Sequence, residues 1–172
     1  MVFVRNNTMK SCDLEGIVAQ FTRLHYDSTT EIVYSLSKKL REKAGEIRRE
    51  QSNANYLRLA SERLEEASGY FDTAWKQCKP FMTGKVLENH CEFIKGYEGK
   101  NKSLATEIAS MDYADIAKFV CLLATNTKTQ ADSDLKRGRP KLSDLLKNAH
   151  LKLNEACESL RNLASLNGEV SA

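Results

Sequence analysis

The feature that most constrains this chain is the spacing of its apolar residues, which recur at steps of three and four along most of its length. Near 55–79, Leu57, Ala60, Leu64, Ala67, Phe71, Ala74 and Cys78 follow steps of 3, 4, 3, 4, 3 and 4. Near 142–167, Leu142, Leu146, Ala149, Leu153, Ala156, Leu160 and Leu163 step by 4, 3, 4, 3, 4 and 3. A helix gathers such residues on one face, whereas a strand, whose side chains alternate, would scatter them over both. The spacing therefore predicts an all-α bundle of five to six helices. Heptad-like packing is expected between the helices near 55–79 and 142–167.

The remaining helices follow from the same rule. Leu14, Ile17, Val18, Phe21 and Leu24 define a first helix over Cys12 to Leu24, with Ser11 or Asp13 at its start. A second follows Asp27, with Ser28 and Glu31 at capping-box spacing, and runs to about Glu50 on Val33, Leu36, Leu40, Ala44 and Ile47. The polar run Gln51 to Asn55 marks a joint. Residues 29–79 are then one long helix or a hairpin, and Asn53 and Asn55 lean toward the hairpin, because Asn turns more readily than it propagates helix. Lys79-Pro80 ends the third helix. A short fourth is expected over Gly84 to Lys95, closed by a turn at Gly96-Tyr97-Glu98-Gly99. A fifth begins after Ser103 and restarts at Asp112 or Asp115. The stretch near 125–141 shows no apolar period and is read as a polar loop. Ser143 is placed as the cap of the last helix and Asn167-Gly168 as its stop. The whole of 1–172 reads as a single helical domain.

Several function classes are set aside. The longest apolar run, Ile116 to Ala124, is broken by Lys118 and is about half the ~18 residues that a membrane span needs. No apolar segment follows Arg5 as a secretory signal requires. Cys12, Cys78, Cys91, Cys121 and Cys157 are scattered and odd in number, so most are expected to be reduced core residues. Together these features suggest an intracellular protein, cytoplasmic or nuclear. Phosphate-binding loops, nucleophile elbows and zinc-protease helices are missing, so no enzyme is expected. No cofactor is called for. Cys78 with His90-Cys91 lacks the close cysteine pair of a structural zinc site, so no metal is expected either.

Charge is concentrated. The chain has 26 Lys and Arg against 23 Asp and Glu, a net +3. Lys136-Arg137-Gly138-Arg139-Pro140-Lys141 alone holds four cations and no acid, and outside it 22 cations face 23 acids. Its core, Arg137-Gly138-Arg139-Pro140, resembles the AT-hook, a minor-groove DNA-binding motif. The resemblance covers six of 172 residues. It implies an extended backbone with Gly138 on the groove floor, Arg137 and Arg139 running outward along it, and Lys136 and Lys141 on phosphates. Asp132, Asp134 and Leu135 stand where the motif usually has Pro or further basic residues. The other reading is a basic loop whose proline starts the last helix. A second cationic set, Lys38, Lys39, Arg41, Lys43, Arg48 and Arg49, is interleaved with Glu42 and Glu46 and reads as a solvated helix face.

Long seams without a catalytic motif lead to the expectation of a helical scaffold or adaptor subunit that binds a partner protein, or itself, through its seams. The alternative is a nucleic-acid-binding accessory protein that contacts DNA or RNA through residues 136–141.

Overall fold

A computed structural model describes residues 14–47, 51–82, 91, 94, 97 and 99–169. Among these described residues there are six α-helices: α1 (Leu14–Ala19), α2 (Tyr26–Glu46), α3 (Gln51–Cys78), α4 (Asn101–Ala109), α5 (Tyr113–Lys136) and α6 (Pro140–Leu166). Short 3₁₀ turns follow α1 (Gln20–Thr22) and α3 (Lys79–Phe81). The four long helices build the bundle: α2 packs on α3, α3 on α6, and α6 on α5. The short α1 lies against α5 and α4 lies against α2. Among the described residues the sheet-like pairing is a single bridge between Leu24 and Cys91.

The expected pairing of the two heptad helices is present, and it lies inside the chain. Leu57, Leu64, Leu146, Leu153, Leu160 and Leu163 are all fully buried along the α3–α6 seam. Each such leucine contributes roughly 1.5–3 kcal/mol of burial. Arg63–Glu155 at 2.7 Å and Lys152–Glu66 at 3.0 Å bridge the same two helices at the surface. Helices α2 and α3 pair as a hairpin, not as one long helix. Ile47 leaves the helix with φ −76° and ψ 105°, and α3 returns from Gln51. Ser37 and Ser61 then meet at 3.5 Å in the interior, and Arg41 pairs with Glu65 at 2.6 Å. The joint precedes Asn53 and Asn55, which both lie within α3.

Several expected boundaries shift, each for a tertiary reason. The second helix starts at Tyr26, so Ser28 is inside it and its N–H donates to the Asp27 carboxylate at 2.7 Å instead of forming a capping box. The start is set by His25, held extended as its N–H donates to the Cys91 carbonyl at 3.0 Å. Of the helix expected over 84–95, residues 84–90, 92, 93 and 95 lie outside the described set, as do Gly96 and Glu98 of the turn expected after it, and Cys91 is in the bridge and not helical. Ser11 and Asp13 also lie outside it. The restart at Asp112 is present. The Glu169 carboxylate serves that helix start, accepting the Ala114 N–H at 2.9 Å.

The largest correction concerns 125–141, expected as a loop. Helix α5 runs through it to Lys136. Its inward positions are Thr127, Ala131 and Asp134, small or polar residues that an apolar count passes over. Buried Thr127 turns its hydroxyl onto the Leu123 carbonyl four residues back, which removes its polarity from the packing, and the exposed Thr125 and Thr129 bond in the same way. Asn126 and Gln130 donate to the Val18 and Phe21 carbonyls, satisfying groups that the short α1 and its 3₁₀ turn leave open. Ser143 does not cap the last helix. Pro140 is the first residue of α6, and Ser143 is fully buried one turn in. Cys121 of α5 and Cys157 of α6 are joined as a disulfide with Cα atoms 5.4 Å apart. This overturns the expectation of reduced thiols for that pair and removes cysteine number as an argument about compartment. Cys78 and Cys91 are free, and Cys12 lies outside the described residues. No helix of the described residues is long and apolar enough to cross a membrane.

A candidate binding cleft at the α5–α6 turn

The six residues singled out by charge form the turn between the two most extensively packed helices. Gly138 adopts φ +73°, the left-handed region that an L side chain enters at a cost. Its N–H donates to the Leu135 carbonyl at 3.0 Å, and the Arg139 N–H reaches back to Asp134 at 2.9 Å. Those two bonds are the double closure by which helices commonly terminate on glycine. Pro140, with φ preset and no N–H to lose, then opens α6. Arg137-Gly138-Arg139-Pro140 is thus a helix stop followed by a helix start. The extended backbone implied by the hook resemblance is not the conformation of this chain.

The four cations have different surroundings. Arg139 forms an ion pair with Asp134, whose side chain is 8% exposed. Lys136, Arg137 and Lys141 are exposed, and among the described residues none has a carboxylate within ion-pair distance. Arg137, Arg139 and Lys141 together with Gly138 and Pro140 line a cleft of about 710 Å³ at this end of the bundle.

The start of α2 and the end of α3 supply the opposite wall. Because the two helices are antiparallel, His25 and Tyr26 meet Trp75 and Phe71. His25 stacks on Trp75 with ring centroids 5.2 Å apart, and Tyr26 stacks on Phe71 at 6.3 Å. Trp75, Cys78 and Met82 are half-buried in that wall, while Phe81 stands 77% exposed at its edge. Thr129, Gln130 and Ser133 of α5 complete the polar side. Burial raises the Tyr26 hydroxyl well above its ordinary range, and the Asp134 carboxylate acts in the same direction. Burial likewise pushes the Cys78 thiol up, again reinforced by Asp134, so it is a neutral thiol at pH 7 and a poor nucleophile. The cleft thus combines an aromatic wall, an interior carboxylate paired with Arg139, and exposed cations at its lip.

Sequence reasoning found the cationic turn and missed the wall facing it. The wall joins His25-Tyr26, the Trp75–Cys78 turn of α3 and Asp134, three stretches far apart in the chain, and no local spacing links one stretch to the next. The usable signal was Thr127, Ala131 and Asp134 at steps of four and three beyond Leu123, which carries helix α5 to the cleft. The second cationic set is largely engaged elsewhere. Lys39 pairs with Glu42 at 2.8 Å and Arg41 with Glu65. Lys43 donates to the Ala109 carbonyl at 3.2 Å and lies 4.7 Å from the Tyr113 ring centroid, with its pKa lowered by burial. Arg48 and Arg49 lie outside the described residues. Among the described residues no group of three His, Cys, Asp or Glu side chains is placed to hold a metal ion. No family model, no curated protein and no solved structure matches this chain.

Proposed function

We propose that this chain is a helical scaffold or adaptor that engages a partner protein through the cleft at the α5–α6 turn. One observation carries the reading. Both heptad seams are consumed in the bundle's own core, whereas the cleft end presents an aromatic wall and exposed cations together. Aromatic anchors ringed by polar groups are the usual anatomy of a protein-binding hot spot. The experiment is site-specific photo-crosslinking. A photoreactive residue at Phe81 should capture a defined partner, and Trp75→Ala should abolish the adduct. A photoreactive residue at Leu166, exposed at the other end of α6, should capture none. Equal capture at both positions would overturn the reading.

The nucleic-acid alternative has its own support in the free cations Lys136, Arg137 and Lys141. To bind as a hook, the chain would have to open the Gly138 turn and release Arg139 from Asp134. It is tested alongside the partner chemistry below.

A further inference from the structure

Resting on the cleft as the docking site, we propose that its occupant is a short acidic, amphipathic segment of a partner protein that inserts an aromatic side chain beside Trp75 and lays carboxylates along Arg137 and Lys141. The argument is one of where the charges stand. Among the described lining residues the one acid, Asp134, is paired with Arg139, so the described interior offers no unmet positive charge for a buried anion. The cations without a carboxylate partner among the described residues, Arg137 and Lys141, are instead exposed at the lip, where an occupant's acids would remain in contact with water. The interior facing them is the stacked His25–Trp75 pair with Met82 and the edge of Phe81, a surface for a flat apolar group. A ligand matching both zones is apolar on one face and negative on the other. A cleft of about 710 Å³ takes a large anchoring side chain and leaves the rest of the segment along the rim. A small anion would satisfy only the lip, and a nucleic-acid backbone would leave the aromatic wall unused.

The chain carries a single tryptophan, and it is in this wall. Its fluorescence therefore reports occupancy directly. The probes are synthetic twelve-residue peptides with Phe anchors and no Trp: one rich in Glu, a second with Glu replaced by Gln, a third with Phe replaced by Ser, and a fourth with Glu replaced by Lys. An A·T-rich duplex is the fifth probe. The Glu–Phe peptide should shift the Trp75 emission and bind at least ten-fold more tightly than the Gln or Ser versions. Charge reversal by Arg137→Glu with Lys141→Glu, on exposed positions that leave the core intact, should reverse the preference in favour of the Lys peptide. Equal binding of the Glu, Gln and Lys peptides would overturn the proposal. So would duplex binding that the same reversal abolishes while no peptide binds. If photo-crosslinking at Phe81 nevertheless captures a partner whose bound segment is not acidic, the cleft remains the docking site and this inference alone fails.

Discussion

At the scale of single residues, the turn shows how a charged motif acquires a structural meaning. Gly138 is needed for its φ of +73°, and a Cβ there would meet nothing within 4 Å. Gly138→Ala should therefore cost about 1–2 kcal/mol through the backbone alone. Urea unfolding should show a lower midpoint with an unchanged slope. Gly138→Asn should recover part of the loss, since Asn tolerates the left-handed region better than Ala. Ser143 makes the opposite case. Its hydroxyl is fully buried, with no hydrogen-bond partner among the described residues. Ser143→Ala removes an unmet polar group from the start of α6 and improves its helix propensity, so it should raise stability by about 1 kcal/mol. A fall in the urea midpoint would show that the hydroxyl is satisfied after all.

At the scale of elements, what could be read in advance was what apolar periodicity reports. The α3 and α6 stripes are regular, and both helices, their mutual packing and the Gly168 stop at φ +69° follow from them. Leu153 is fully buried in that seam, and Leu153→Ala should lose about 2–5 kcal/mol, measured as a fall in unfolding free energy. Two kinds of element escaped. The last third of α5 is held by threonine hydroxyls, an alanine and amides that serve another segment's carbonyls, so its inward face carries no apolar signature. The start of α2 is fixed by a backbone bridge from Cys91, dozens of residues downstream, and the local capping pattern at Ser28 is overridden. The candidate site divides along the same line. Its cationic turn is contiguous and was visible as a charge run, whereas its aromatic wall exists only once α2 and α3 fold back on each other.

At the scale of the whole molecule, the two ends of the bundle are built differently. At the end away from the cleft, distant segments tie together. Lys43 reaches the Ala109 carbonyl, Asn53 reaches Asn167 at 3.4 Å, and Glu169 closes the start of α5. Between the ends, Glu66 is held below the usual carboxylate range, first by its hydrogen bond from Lys152 and with further help from Arg63. Its folded pKa lies below the unfolded value, so the unfolded chain takes up the proton first as pH falls. The stabilisation is complete above the ordinary carboxylate pKa of about 4.3 and is lost as pH drops through the lowered folded value. Urea midpoints followed from pH 7 to pH 3 should fall, and Glu66→Gln should flatten part of that decline. Glu66 is exposed and Lys152 is only partly buried, so the change should be modest.

The α5–α6 turn has one more consequence. These two helices are adjacent in sequence, joined by a three-residue connection and cross-linked by Cys121–Cys157, whereas the α3–α6 seam must bring together segments many tens of residues apart. Contacts of short sequence separation close quickly and at little entropic cost. The α2–α3 hairpin has a similarly short connection, so it is the Cys121–Cys157 link that makes the α5–α6 hairpin the nucleus of folding and the last part to open. Under native-state hydrogen exchange, the central amides of α5 and α6 should become protected first after dilution from denaturant, with α2 and α3 following. Reduction of the disulfide should narrow or abolish that lag.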